Sequence, residues 1–243
     1  MTSEATEASL KAAFFDYRRS ICEDFPMKLI DSYGPNPRVV RMFIAEKGIT
    51  VPTAEVDLMG GECQGEAYKA INPAGTSPSF ELDDGRVFAE TVTICEYLEE
   101  LYPEPALIGA TPEDRAWNRM WVRRVELLIS EHMYNGFRYG VAKDHFKDRF
   151  YVIPEAAEGL IEKARRARQW LDGLMDGREF IAGDRITLAD IVLFCCCDFL
   201  KDTGPQPLDT DLPNLQPWYE RMLARPSSTA SIHPLTEKYG WVA

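Results

Sequence analysis

Asn72-Pro73-Ala74-Gly75-Thr76-Ser77-Pro78-Ser79-Phe80-Glu81-Leu82-Asp83-Asp84-Gly85-Arg86-Val87-Phe88 is the stretch whose reading decides the fold. Ser79 to Leu82 and Arg86 to Phe88 are short alternating runs. Between them, Asp83-Asp84-Gly85 is an Asp-Gly turn, which signals a β-hairpin because glycine accepts the positive φ such turns require. Pro78 stands just ahead of the hairpin. A cis prolyl bond costs only about 0.5–1 kcal/mol and would turn the Ser77 N–H and C=O toward a ligand; an ordinary trans turn fits the spacing equally well.

Working outward toward the N-terminus, an apolar run Met27 to Ile30, a turn Gly34-Pro35-Asn36-Pro37 and apolar Val39, Val40, Phe43 and Ile44 ended by Gly48 read as strand, loop and helix. A second strand is expected around Ala54 to Leu58, and so short a β-α-β unit predicts a parallel pair with right-handed crossover. On the other side of the hairpin, Ile94, Tyr97, Leu98 and Leu101 share one helical face, and that helix stops before Pro103. The order is β-α-β-(α)-β-β-α.

Beyond it everything reads helical. Thr111, Pro112 and Asp114 form an expected cap and capping box; Pro154 opens a second long helix; Thr187 and Asp190 form another capping box ahead of the apolar run Ile191 to Cys197; Pro213 to Leu223 adds one more helix. The tail from Pro226, with Tyr239 and Trp241, reads as irregular. Expected boundaries are 1–26 for an N-terminal extension carrying Ala12, Ala13, Phe14 and Phe15, 27–102 for an α/β domain, 103–110 for a Pro-rich linker, and 111–243 for an all-helical domain.

The bulk composition narrows the function. In 243 residues, 45% are hydrophobic and 27% charged, enough for a proper core. With 27 basic against 39 acidic residues the net charge is -12, which argues against nucleic acid and anionic membranes as partners. No apolar run approaches the ~20 residues of a membrane span, and Thr2 to Ala8 is acidic rather than a signal sequence, so the cytoplasm is expected. The cysteines, Cys22, Cys63, Cys95 and Cys195 to Cys197, show no C-x-x-C spacing, and buried reduced thiols with no metal are expected.

This order of elements, with three local motifs, resembles the glutathione transferase superfamily over about residues 27 to 225. Ile71 to Pro78 is similar to that family's loop ahead of a cis-proline; Asp83 to Glu99 is similar to its hairpin and third helix; Phe180 to Asp190 is similar to its second-domain capping segment. The resemblance implies a thioredoxin-like α/β N-terminal domain followed by an all-α bundle. It also implies a thiolate of glutathione attacking a hydrophobic electrophile.

What it implies for residues is specific. Ser77 and Pro78 would pair with the glutathione backbone as an added strand does. Glu90 and Thr91 would hold the γ-glutamyl end at a helix N-terminus, although a plain helix cap reads equally well from sequence. Gln64 is a candidate for the glycine-end carboxylate, with a solvated loop glutamine as the alternative. Where many relatives carry a serine that donates to the sulfur, this chain has Gly34. Asn36 is the expected donor, alongside a role as cap ahead of Pro37, with Ser32 and Tyr33 as fallbacks; Arg38 is expected to pair within its own domain. Tyr33, His132, Met133, Tyr134, Phe137 and Tyr139 are candidates for an aromatic electrophile pocket between the domains, each equally readable as core.

The implied activity is glutathione transfer to an electrophile, with β-aryl ether cleavage among the reactions that relatives perform. A non-catalytic glutathione-binding or interaction module is the alternative, favoured by the absent serine. A Cys-type reductase is disfavoured because no cysteine occurs from Ile30 to Glu62. A two-fold dimer is expected, homodimer before heterodimer.

Overall fold

The computed structural model describes residues 27–204, 206–208 and 211–236. The expected N-terminal helix at Ala12 to Phe15, Cys22, and the tail aromatics Tyr239 and Trp241 lie outside these residues.

The chain folds as a thioredoxin-like mixed sheet followed by a helical domain. Strand β1 is Lys28–Asp31, helix α1 Pro35–Lys47 and strand β2 Thr53–Glu55, with β1 and β2 parallel in the register Leu29 to Thr53. A short 3-10 turn at Glu62–Gln64 and the one-turn helix α2, Glu66–Lys69, lead to β3, Ser79–Glu81, and β4, Val87–Ala89. The hairpin forms where the Asp-Gly turn lies, and the sheet order is β2-β1-β3-β4, with β3 antiparallel to both neighbours. Helix α3, Thr91–Leu101, closes this domain.

Strand β2 ends earlier than the sequence suggests. Val56 N–H still donates to the Asp31 carbonyl at 2.9 Å, but Leu58 N–H then turns back to Val56 at 2.9 Å, and the Asp57 carboxylate takes the Gly60 N–H at 2.7 Å. An Asx-type turn thus stops the strand.

In the second domain α4, Pro112–Arg124, runs through a π-helical stretch, Val125–Ser130, into α5, Glu131–Tyr139. The one-turn α6 is Lys143–Phe146, and α7, Ala157–Leu174, follows a 3-10 turn opened by Pro154. Then come α8, Leu188–Thr203, and α9, Leu215–Leu223. The expected irregular tail is corrected at Pro226: Pro226–Ala230 is a short helix, α10, because proline suits a first helical position. Thr111 caps α4 by accepting the Asp114 N–H at 3.2 Å, but the exposed Asp114 carboxylate makes no return bond, so the expected capping box is half formed.

Helix α8 is the axis of the core. Every residue from Leu188 to Leu200 is buried, including all three consecutive cysteines, whose thiols are reduced. Its start is secured by Asp190, which has no exposure and accepts from Thr187 N–H, Thr187 Oγ1, Ile181 N–H and Trp218 Nε1 at 2.8–2.9 Å. Four donors offset the cost of burying one carboxylate. No helix among the described residues is long and apolar enough to cross a membrane.

The two domains meet along α1 and α8. Arg38, expected to pair inside its own domain, instead crosses to Asp198 on α8 and lies 5.4 Å from the Phe194 ring centroid; it also donates to Ser231 Oγ at 3.3 Å and to the Ser228 carbonyl at 3.2 Å. The partner lies 160 residues away in the chain, beyond the reach of local pattern reading. A second buried pair, Lys47 with Glu99, pins the linker: Lys47 Nζ donates to the Tyr102 and Pro105 carbonyls at 2.7 Å, and Glu99 takes the Ile108 N–H at 2.9 Å. The Glu104–Pro105 bond in that linker is cis. On the outer side Glu46 receives Arg225 in a two-pronged pair at 2.6 and 2.8 Å.

Burial alone would push the Asp198 carboxyl up, but the charge of Arg38 and the bonds from Lys201, Tyr219 and Arg38 outweigh it, and the net shift is downward. A depressed folded pKa contributes stability that is complete above the ordinary carboxylate value of about 3.9 and lost as pH falls through the lower folded value. Arg38→Met is therefore expected to lower the urea unfolding free energy at neutral pH by about 3–5 kcal/mol, because it strands a buried carboxylate. The stability gap between wild type and Asp198→Asn should shrink once pH drops below about 3.9. A loss under about 1 kcal/mol for Arg38→Met would contradict the pair's role.

Candidate functional site

Sheet register builds the site before any side chain is considered. Ile30 pairs with Ser79 across β1 and β3, and two residues further on Ser32 meets Ser77; Ser79 pairs with Ala89 across β3 and β4, and two residues further on α3 starts at Thr91. The contact is direct on one side, with Ser32 Oγ donating to Ser77 Oγ at 2.8 Å. Helix α1 starts three residues after Ser32 and α3 starts at Thr91 itself. Two helix N-termini, with their outward N–H groups and positive dipole ends, therefore converge on one end of the sheet.

The Ser77–Pro78 bond is cis. The loop before it is tied at several points: Asn72 Nδ2 and Tyr68 Oη donate to the Thr76 carbonyl at 2.7 and 2.8 Å, Tyr68 Oη reaches Ser79 Oγ at 3.1 Å, and Gln64 Nε2 donates to the Gly75 carbonyl at 2.8 Å. Gly75 has φ 61, and a Cβ there would stand 3.0 Å from the Cys63 carbonyl and from Gln64 Nε2, so the turn and its close neighbours favour glycine. Gln64 thus spends one amide hydrogen on this loop and keeps the other. Asn72 and Tyr68 had no assigned role in the sequence; the Asn72-Pro73 dipeptide was the available signal, since Asn72 Oδ1 takes the Ala74 N–H at 3.3 Å in an Asx turn.

Glu90 has φ 76 and ψ 116, the one non-glycine positive φ among the described residues, directly ahead of the half-buried Thr91. Such backbone costs about 1–3 kcal/mol and gathers where a ligand needs it. Glu90 is itself exposed.

The start of α1 corrects one expectation. Asn36 is not the cap: Pro35 takes the first helical position and Gly34, with φ 145 and ψ 167, takes the cap position without a side-chain bond. Asn36 sits at the second helical position, half-buried, and its amide makes no hydrogen bond among the described residues. Pro35 and Pro37 have no N–H and the Arg38 N–H donates to Gly34 at 3.2 Å, so within the first turn only Asn36 offers a main-chain N–H free of a helical acceptor.

Beneath this turn Arg41 fixes the loop, donating to Asp31 Oδ1 at 2.6 Å, the Ser32 carbonyl at 3.0 Å and the Ser231 carbonyl at 2.9 Å. Burial raises the Asp31 carboxyl, with Arg41 opposing. Ser32 is fully buried with its hydroxyl aimed at Ser77, and Tyr33 is 8% exposed, its ring edge-on to His233 at 6.2 Å. Burial pushes the Tyr33 phenol up to about 12, so it is protonated at neutral pH.

On the electrophile side the candidates separate. Met133 has no exposure and meets Cys196 through a 3.8 Å sulfur contact, and Tyr134 is buried, its phenol raised first by burial and then by Cys196. Both are core of the helical domain rather than an open wall, because α5 turns that face onto α8. Phe137 is half-buried and edge-on to Phe146 at 6.2 Å and Phe199 at 5.4 Å; Tyr139 and His132 are half-buried on α5. Phe146 and Phe150, stacked at 5.4 Å, extend this cluster, and Arg149 beside them reaches across to the first domain, donating to the Leu58 carbonyl at 3.3 Å. Sequence reasoning missed these three; aromatics at 146 and 150 spaced by one helical turn were the signal.

Residues 29–106 match the family model described as glutathione S-transferase, N-terminal domain, and residues 146–226 the one described as glutathione S-transferase, C-terminal domain. The chain is 31% identical over 196 residues to glutathione S-transferase 2 of Saccharomyces cerevisiae, covering 80% of this chain and 84% of that protein. The crystal structure of a glutathione S-transferase domain-containing protein of Marinobacter aquaeolei matches at TM-score 0.76 and 34% identity, covering 82% of this chain and 98% of the other. Protein LigF of Sphingobium sp. is 26% identical over 232 residues, covering 81% of this chain and 89% of that protein. The crystal structure of that β-etherase shares the fold at TM-score 0.70 and 24% identity, covering 85% and 97%.

Because Glu90 holds a positive φ, Glu90→Gly is expected to raise the urea unfolding free energy by about 1 kcal/mol. A destabilised Glu90→Gly would contradict that view of the strained residue.

Proposed function

The chain belongs to the glutathione S-transferase family, and from that premise we propose that it holds glutathione as thiolate and directs it at a hydrophobic, aromatic electrophile, β-aryl ether cleavage included. The observation that carries the reading is the Ser32–Ser77 contact at the end of the sheet where the helices α1 and α3 both begin. Such an end suits an extended, doubly anionic peptide: the Ser77 main chain pairs as with an added strand, and Thr91 with Glu90 takes the γ-glutamyl carboxylate and ammonium. Gln64 keeps one amide hydrogen for the glycine carboxylate.

A free thiol has pKa about 8.5, so at pH 7 a site must supply donors to hold it as thiolate. Asn36 is the proposed donor, through the free first-turn N–H and through an amide with no other partner among the described residues. Ser32 is the weaker candidate, since its hydroxyl already donates to Ser77. In the reaction the thiol loses its proton to water, sulfur bonds to the electrophilic carbon, and the bond from that carbon to its leaving group breaks; in an aryl ether the leaving group is an aryloxide that takes up a proton. The sequence likeness to LigF supports ether cleavage as one such displacement.

The second reading, a glutathione-binding or interaction module without catalysis, draws on Gly34, which brings no donor of its own. We further propose domain boundaries at 27–102, 103–110 and 111–243, and a two-fold homodimer before a heterodimer.

Turnover of a chlorodinitrobenzene with glutathione, together with calorimetric glutathione binding, separates the readings. Wild type is expected to bind and turn over, and Asn36→Ala to lose about tenfold or more in kcat/KM, the scale of a hydrogen bond to a charged group. Binding without turnover favours the module; no binding at millimolar glutathione sinks both.

A further inference from the structure

Arg138 on α5 and Arg149 just past α6 stand on the same ring: their guanidinium carbons lie 5.9 and 5.5 Å from the Phe146 centroid. Arg138 also lies 5.5 Å from the Tyr134 ring and 5.8 Å from Phe150. Its polar contact is a 3.4 Å bond to Asn135 Oδ1, while Arg149 donates to the Leu58 carbonyl at 3.3 Å. Among the described residues no carboxylate pairs with either, in a chain of 39 acidic against 27 basic residues. Of the acids around them, Asp144 pairs with Lys147 and Glu131 accepts from Asn135, while Asp57 and Glu62, which lie with Arg149 around Cys63, accept from main-chain N–H groups, and Asp148 adjoins Arg149 without an ion pair to it.

Two half-buried like charges on one ring repel more than they would in bulk water. The aromatic faces relieve part of this, and an anion would relieve the rest. Location makes that anion part of the reaction. Leu58, which receives Arg149, borders the cap of α1: a Cβ built on Gly34 would stand 3.8 Å from Leu58 Cδ2. The cationic aromatic cluster of the second domain therefore reaches the helix end where the sulfur would lie.

We propose that the electrophile is an aromatic carboxylate, its ring packed against Phe146, Phe137 and Phe150 and its carboxylate bound by Arg149 and Arg138. This deepens, and rests on, the transferase reading. The carboxylate is untouched by the chemistry: sulfur bonds to the electrophilic ring carbon and the leaving group departs as an anion.

The test compares a chlorodinitrobenzoate with its methyl ester, both with glutathione and each normalised to its uncatalysed rate. The acid should be preferred in kcat/KM by about tenfold at low salt, and rising ionic strength should erode the preference. Arg149→Gln and Arg138→Gln should each bring the ratio of acid to ester toward one, whereas a purely structural role would lower both substrates by the same factor and leave the ratio alone. Three results overturn the proposal while leaving the transferase reading intact: an ester used as well as the acid, an unchanged ratio in both variants, or a higher KM for glutathione in Arg149→Gln, which would assign that cation to a glutathione carboxylate. If neither electrophile reacts and glutathione does not bind, the transferase reading falls and the proposal with it.

Discussion

A guanidinium shut away from water is the constraint around which the molecule is arranged. Arg38 projects from α1 of the first domain and finds its charge partner on the buried helix of the second, so α1 and α8 cannot separate or slide without stranding a charge at a cost of several kcal/mol. The same arginine holds Ser228 and Ser231, tying the C-terminal segment down as well. Just ahead of Arg38 the helix begins, at Pro35, and its N-terminus is the proposed thiol site. The pair thus fixes where that N-terminus points relative to the aromatic cluster on α5 and α6. Lys47 with Glu99 does the same for the other end of α1 and for the linker.

Much of the proposed glutathione site is main chain. The Ser32–Ser77 contact lies just past the β1–β3 ladder, the outward N–H groups follow from two helix starts, and the strained Glu90 stands in the short step between β4 and α3. Side chains act mainly as braces: Asn72, Tyr68 and Gln64 around the loop before Pro78, and Arg41 beneath Ser32. A main-chain site tolerates the loss of one donor side chain better than a side-chain site does. That is why Gly34, which brings no side-chain donor to the cap of α1, does not by itself argue against the proposed activity.

What was legible in the sequence was what local chemistry dictates. The Asp-Gly turn, the proline before the hairpin, the capping box at Thr187 and the all-round apolar run after it each sit in one short window, and each is present. The misses are of two kinds. Where neighbouring residues compete for one role, pattern reading picked the wrong one: Pro35 starts the helix that Asn36 was expected to cap, and Pro226 opens a helix where a coil was expected. Where the partner is distant, no window contains it. Arg38 reads as a local ion-pair residue until Asp198 is seen beside it, and Met133 reads as pocket wall until the fold turns it onto Cys196. Arg149 was invisible for the same reason, since its acceptor Leu58 is in the other domain.

On the proposed reading, the N-terminal end of α1 holds a sulfur as its anion. An ultraviolet titration of the protein with bound glutathione measures this directly, following thiolate absorbance against pH. The expected result is a bound thiol pKa clearly below the free value of about 8.5, returning toward it when Asn36 is replaced by alanine. A bound thiol that titrates like free glutathione would contradict it.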